Sequence, residues 1–141
     1  MENSTHKLVR PPVSWYGGKI RLSTKIAAMF PPHNIYVEGF GGSGAVLMAK
    51  KPSEVEVYND IDSGLVHFYR TLRDPKKVEE LIQFLALIPF SREEFNFGCA
   101  NWDILDDDIA KAAYWFIVAR WSFGGIFGGG WSKSGRSWIP N

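Results

Sequence analysis

A glycine-rich turn followed by an acidic residue is the part of this sequence with the clearest chemistry. Residues 39–44 (Gly-Phe-Gly-Gly-Ser-Gly) lie between a short predicted strand and a predicted helix. Glycines there let a ligand approach the backbone, and the amides at a helix start favour polar or anionic groups. Asp60 follows Gly44 by 16 residues, where its carboxylate can accept hydrogen bonds from both hydroxyls of a ribose. The pattern predicts a nucleoside site, although such glycines also occur in tight turns that bind nothing.

A second motif, residues 15–19 (Trp-Tyr-Gly-Gly-Lys), precedes the turn. A lysine beside two glycines and an aromatic residue can attract a ligand carboxylate while the backbone stays close to it. Taken alone, Lys19 would be a surface lysine at a helix start and Trp15 a core aromatic residue. Their joint occurrence before the glycine turn favours a role in binding.

In this order, the two motifs resemble those of the Dam-type adenine-N6-specific DNA methyltransferases. That family has W-x-G-G-K, then a strand ending in E-P-F-x-G-x-G, then a strand ending in D-I-N or similar. The matching positions are Trp15, Gly17, Gly18 and Lys19, then Glu38, Gly39, Phe40, Gly42 and Gly44, then Asp60, Ile61 and Asp62. Gly39 replaces the usual proline, which loosens the turn. A weaker likeness continues to residue 140, with Ala119 in place of the asparagine that usually precedes Arg120.

The resemblance implies that the chain binds S-adenosylmethionine. Three residues of the first motif would hold the methionine end of the cofactor. The glycine turn would lie beside it, Asp60 would bind the ribose hydroxyls and Ile61 would pack against the adenine. The implied cofactor-binding residues are Trp15, Gly18, Lys19, Glu38, Phe40, Gly42, Gly44, Asp60 and Ile61.

The catalytic motif of that family, D-P-P-Y or a near variant, is absent from the 141 residues. Its acid and a backbone carbonyl accept the hydrogens of the adenine amino group, and its aromatic residue stacks on the flipped base. The proline pairs, Pro11-Pro12 and Pro31-Pro32, do not follow an acid. We therefore assign no catalytic residue, expect the motif to lie C-terminal to Asn141, and predict that this chain alone is inactive as a methyltransferase.

Basic and aromatic residues alternate near the C-terminal end. Residues 120–138 contain Arg120, Lys133 and Arg136 among tryptophans, phenylalanines and glycines. This combination suits contacts to DNA phosphates and stacking on bases, and by resemblance the region would begin a target-recognition domain for duplex DNA. The alternative is a glycine-rich loop whose tryptophans fill a core.

The pattern of elements predicts an α/β chain, namely a partial Rossmann-like S-adenosylmethionine-dependent methyltransferase fold with one βαβ unit, followed by a mostly helical region. We place the cofactor-binding part at residues 1–73 and the helical region at 74–141. Strands are predicted at 35–38 and 54–58, and helices at 20–30 and 45–51. Because two parallel strands are not a stable sheet alone, we expect self-association or a partner chain that supplies the remainder.

Four helix signals follow Asp60. Leu65, Tyr69 and Leu72 share one helical face, and Asp74-Pro75 is a cap with a first-turn proline. Ser91 and Glu94 form a predicted capping box, and residues 106–108 precede a last helix. The residues predicted to form one apolar stripe on that helix are Ile109, Ala112, Ala113, Phe116 and Ile117.

Composition narrows the class of protein. Hydrophobic residues make up 45% and charged residues 22%, as in globular proteins. The net charge is +1, but acids are concentrated between basic ends. The single cysteine, Cys99, excludes an internal disulfide and a multi-cysteine zinc site, no metal is expected, and no signal peptide or membrane-spanning stretch is predicted. We expect a cytoplasmic protein.

Two other interpretations stay open. A fragment of an NAD-dependent oxidoreductase would explain the glycines and Asp60 but would give residues 15–19 no role. A non-enzymatic nucleic-acid-binding module would explain the charge distribution but not the nucleoside-like turn.

Overall fold

The computed structural model describes residues 9–132, and the chain divides into two compact units after Ile61. The first unit contains helix α1 (Ser23–Ala27), strand β1 (Ile35–Glu38), helix α2 (Ala45–Ala49) and strand β2 (Val55–Tyr58). The strands are parallel, with Ile35 opposite Val55 and Glu38 opposite Tyr58. The predicted βαβ unit is therefore present. The division after Ile61 separates two compact units, whereas the boundary predicted at residue 73 separates two functional parts. The functional boundary therefore stays a prediction.

Helix α1 is shorter than the predicted span of residues 20–30. The Ser23 hydroxyl donates to the carbonyl oxygen of Ile20 at 3.0 Å, a local bond that competes with helical pairing at the N-terminal end. At the other end, Phe30 precedes a proline and is therefore disfavoured in helical conformation. Helix α2 also ends early, because Lys50 is extended.

One face of the two-stranded sheet is apolar and exposed. Alternate residues of a strand lie on the same face, and here these residues are β-branched in both strands. They are Ile35, Val37, Val55 and Val57. On β1, the residue with the most buried side chain is Glu38.

The second unit consists of helices α3 (Ser63–Arg73), α4 (Pro75–Leu87), α5 (Arg92–Asn101) and α6 (Asp108–Trp121). Each begins at a side chain that accepts a backbone N–H, and these caps are Asp62, Asp74, Ser91 and Asp107. Half of the predicted capping box is present, since the amide of Glu94 donates to Ser91 Oγ at 3.1 Å. The Glu94 carboxylate accepts the hydroxyl of Tyr114 at 2.7 Å.

Helix α6 forms the centre of this unit. All five residues of the predicted stripe are buried, and the burial extends beyond the stripe to Trp115, Val118 and Trp121. The reason is tertiary, since α3, α4 and α5 all pack against this helix. The Phe68 ring lies 5.3 Å from the ring of Trp115 and 5.1 Å from that of Phe116. None of the helices in residues 9–132 is long and apolar enough to cross a membrane.

The segment after α6 is folded back on the helix. A short 3-10 helix (Phe123–Gly125) follows Ser122, and the amide of Phe123 donates to the carbonyl oxygen of Gly130 at 2.8 Å. Trp121 is buried, and Trp131 packs against Phe90 with ring centroids 5.3 Å apart. Trp121 therefore belongs to the core, whereas Trp131 is half-buried against the partly exposed Phe90.

Candidate cofactor site

The glycine turn between β1 and α2 takes a left-handed backbone conformation at two positions. Gly42 has φ 51° and Gly44 has φ 65°. L-residues with a side chain rarely adopt this conformation, so the spacing of glycines here is a requirement of the turn. Gly44 is also the residue that precedes the first turn of α2.

Asp60 is bonded directly to this turn. The backbone N–H of Gly42 donates to Asp60 Oδ2 at 2.7 Å. Asp60 follows β2, and the parallel pairing brings the carboxyl ends of both strands to the same edge of the sheet. The hydrogen bond thus joins the carboxylate that was predicted to bind a nucleoside directly to the glycine turn.

Two further residues from the end of β2 hold the turn, and the sequence interpretation missed both. The Tyr58 hydroxyl donates to the carbonyl oxygen of Gly42 at 2.6 Å. The Asn59 side-chain amide donates to the carbonyl oxygen of Gly39 at 3.0 Å. A signal was present for Tyr58, because it precedes Asp60 by two residues and so lies on the same side of the chain.

The first motif reaches the same turn. A methyl group added at Gly42 would lie 3.1 Å from Cδ1 of the Trp15 indole, so Trp15 packs directly over this glycine. A methyl group at Gly18 would lie 2.8 Å from the Trp15 carbonyl oxygen and 3.5 Å from Ser43 Oγ. Of the predicted cofactor residues, Trp15, Gly18, Gly42 and Asp60 are brought together.

Glu38 connects the end of β1 to α2. Its side chain is only 8% exposed, and Oε2 accepts the N–H of Leu47 in the first turn of the helix at 3.1 Å. Burial raises the pKa of this carboxyl, while the Leu47 amide, Lys19 and Tyr36 act in the opposite direction. Gly44 has no side chain that could accept a backbone N–H at the start of α2. Glu38 supplies this acceptor instead.

The remaining predicted residues are exposed at or near the carboxyl ends of the strands. The side chain of Phe40 is 90% exposed and that of Ile61 is fully exposed. Lys19 is exposed and influences the Glu38 carboxyl electrostatically. Ile61 follows Asp60 in sequence, and Phe40 precedes Gly41, whose amide donates to the carbonyl oxygen of Asn59 at 2.9 Å. Two exposed apolar side chains in these places are suited to contact a flat, apolar ligand surface such as a purine ring.

Of the predicted DNA-binding residues, Arg120 is exposed on the last turn of α6. Lys133 and Arg136 lie outside the described residues. Within residues 9–132, no group of three His, Cys, Asp or Glu side chains could hold a metal ion.

Comparison with known proteins identifies the family. The family model for D12 class N6 adenine-specific DNA methyltransferases matches residues 15–119, which begin at Trp15 and include the glycine turn and Asp60. The chain belongs to this family. The Type II methyltransferase M1.LlaDCHI of Lactococcus lactis subsp. cremoris is 36% identical over 79 residues, an alignment that covers 55% of this chain and 27% of that relative. The two-stranded parallel sheet and its helices are consistent with part of a methyltransferase fold.

We expect Gly42→Ala to destabilise the glycine turn. A side chain at φ 51° costs about 1–2 kcal/mol, and the new methyl group would also press on Trp15. Urea unfolding measures the loss of stability, and affinity for S-adenosylhomocysteine should fall about tenfold or more, since each 1.4 kcal/mol is a factor of ten. Gly39→Ala is the matched control, because nothing lies within 4 Å of the added methyl group. Equal behaviour of the two variants would contradict this account of the turn.

Proposed function

We propose that this chain forms the S-adenosylmethionine half-site of an enzyme that methylates the N6 atom of adenine in duplex DNA. The convergence of Asp60 and Trp15 on Gly42 carries the proposal. Family membership supports the choice of cofactor among nucleosides. The βαβ unit would be one part of a Rossmann-like sheet whose other strands come from further polypeptide.

The described residues fit the cofactor. Asp60 would accept the ribose hydroxyls, and the fully exposed Ile61 would pack against the adenine. Lys19, together with Trp15 and Gly18, would hold the methionine end, where the ammonium group of the lysine attracts the carboxylate. When bound, the cofactor supplies the electrophilic methyl group.

Calorimetric titration tests this proposal. We expect saturable heat with S-adenosylhomocysteine and none with NAD run alongside. Preference for NAD would favour the oxidoreductase interpretation. No heat with either ligand, from a chain that circular dichroism shows to be folded, would contradict a half-site that binds without additional polypeptide.

The chain alone should not transfer methyl groups to DNA. The sequence contains no acid followed by a proline pair, so it lacks the groups that would accept the adenine amino hydrogens. The measurement is incubation of the pure chain with radiolabelled S-adenosylmethionine and unmethylated duplex DNA. A reaction without protein is the control, and label in the DNA above that background would contradict the prediction.

The exposed apolar sheet face supports a proposal about assembly. Ile35, Val37, Val55 and Val57 form a contiguous patch on a small sheet, and parallel sheets are normally covered on both faces. We expect the pure chain to self-associate, and sedimentation velocity should show a concentration-dependent mass. Val37→Lys with Val57→Lys should return it towards a monomer. A wild-type chain that sediments as a monomer at all concentrations would contradict the expectation.

The helical region from residue 74 onward would begin the part of the enzyme that recognises DNA. Support comes from the exposure of Arg120 and from the basic residues Lys133 and Arg136 that follow it in sequence. Cations of this kind contact phosphates and position a protein on the duplex without reading its sequence.

A further inference from the structure

A cavity in the helical unit has no part in the site described above. Its volume is about 610 Å³, and it lies where the C-terminal turn of α3 meets the N-terminal turns of α4 and α6. Most of its lining side chains can carry charge. They are His67, Arg70, Arg73, Asp74, Lys77 and Asp108.

Arg70 and Arg73 supply the cationic wall of this cavity. They are three residues apart on α3, so they lie on the same side of the helix, and both are exposed. Within the described part of the chain, neither guanidinium has an ion-pair or hydrogen-bond partner. Two planar guanidinium groups at this spacing are suited to bidentate binding of phosphate oxygens.

The acids of the cavity are already engaged. Asp108 forms an ion pair with Lys77, and Asp74 Oδ1 accepts the backbone amide of Lys76 at 2.9 Å. These interactions hold the pKa of both carboxyls below the usual range, so both are ionised at neutral pH. Three cationic and two anionic side chains leave a net positive charge, carried by the two arginines.

The backbone adds to this positive potential. Helices α4 and α6 have 13 and 14 residues, and both begin at the cavity. The N-terminal end of a helix carries partial positive charge, which favours an anion there. The Asp74 and Asp107 caps reduce this effect, but the positive charges of Arg70 and Arg73 remain.

We propose that this cavity binds a phosphate group of the DNA backbone through Arg70 and Arg73. The choice of DNA as the source of the phosphate rests on the proposed function. Arg120 lies 12 residues after Asp108 on α6, so the two positions are about 18 Å apart along the helix axis. Contacts at both places would reach different phosphates and would fix the direction of the helical unit on the duplex.

The test compares two double variants of the full chain. Arg70→Gln with Arg73→Gln removes both charges. Arg70→Lys with Arg73→Lys keeps the charges but removes the planar guanidinium groups. Duplex DNA binding is measured by fluorescence anisotropy over a range of salt concentrations, and Arg120→Gln is measured in parallel. Thermal melting checks folding, which we expect to be unchanged because both arginines are exposed.

We expect the glutamine variant to bind DNA at least about tenfold more weakly and to lower the salt slope by about 0.9, which is the contribution of the one phosphate contact that is lost. The lysine variant should keep the slope but lose affinity. If the lysine variant bound DNA with wild-type affinity, the attraction would be general electrostatics. The proposed phosphate site, which depends on guanidinium geometry, would then be overturned. Unchanged affinity in the glutamine variant, or no DNA binding by the wild-type chain, would also overturn the proposal.

Two further measurements are needed. The first distinguishes free phosphate from DNA phosphate, and the second distinguishes failure of the phosphate site from failure of the proposed cofactor site. If inorganic phosphate raises the melting temperature of the wild type but not of the glutamine variant, while DNA affinity is equal, the cavity binds free phosphate and the DNA assignment is overturned. S-adenosylhomocysteine affinity is measured in the same variants. Dependence of DNA binding on the arginines in a chain that does not bind this ligand would retain the phosphate site and reject the proposed cofactor site.

Discussion

Asp60→Ala should weaken binding of S-adenosylhomocysteine by about 100-fold or more. A carboxylate that accepts two ribose hydroxyls forms hydrogen bonds worth about 1.5–3 kcal/mol each, and about 2.7 kcal/mol is already a factor of 100. The substitution also removes the acceptor of the Gly42 amide, so the turn itself becomes less ordered. Calorimetric titration of the two proteins measures the difference.

Asp60→Asn separates these two effects. Asparagine retains an acceptor for the Gly42 amide but has no charge and only one acceptor oxygen. We expect its stability to stay close to that of the wild type while its affinity is intermediate. An affinity in Asp60→Ala equal to that of the wild type would refute the assignment of this residue to the ribose.

Trp115→Ala should produce the largest loss of stability, about 3–5 kcal/mol. The side chain is completely buried, its ring lies 5.3 Å from Phe68 and 5.8 Å from Phe127, and it is central to the helical unit. The measurement is urea unfolding followed by far-UV circular dichroism, which keeps its signal when the tryptophan is removed. Leu87→Ala is the control, because Leu87 is 86% exposed and should change stability by less than about 0.5 kcal/mol. A loss in Trp115→Ala no larger than in the control would contradict the described core.

The close contact between Trp115 and α3 explains a neighbouring glycine. A methyl group added at Gly64 would lie 2.2 Å from Cδ1 of Trp115, so the two helices approach each other where no side chain intervenes. Nothing in the sequence marks Gly64 for this role. Its requirement comes from the position of a residue far away in the chain.

Local signals predicted the elements of this protein well. Both strands are confirmed, with β2 starting one residue later than predicted, and Asp74-Pro75 begins α4 as expected. The burial of α6 on several sides could not be predicted from its own residues, since it depends on three other helices. The length of α1 was also wrong, because the bond from Ser23 to Ile20 is a local alternative to helix that periodicity does not reveal.

The site shows the same division. The motif order predicted that Trp15, Gly42 and Asp60 belong together, and the structure brings them into contact. Residue type did not reveal that Tyr58 and Asn59 support the turn, and the only signal was positional, for Tyr58, which precedes Asp60 by two residues. Both supports depend on the parallel register, which sets the end of β2 beside the turn.

These supports have a consequence for the entropy of ligand binding. Glycine loses more conformational freedom on ordering than any other residue, so a mobile turn with four glycines would make a ligand meet that cost. Here Tyr58, Asn59 and Asp60 bond in succession to the turn, and its backbone is ordered as part of folding. The pairing of the strands therefore orders the turn before any ligand binds. If the turn binds a nucleoside as proposed, the interaction energy would contribute to affinity rather than to ordering the protein.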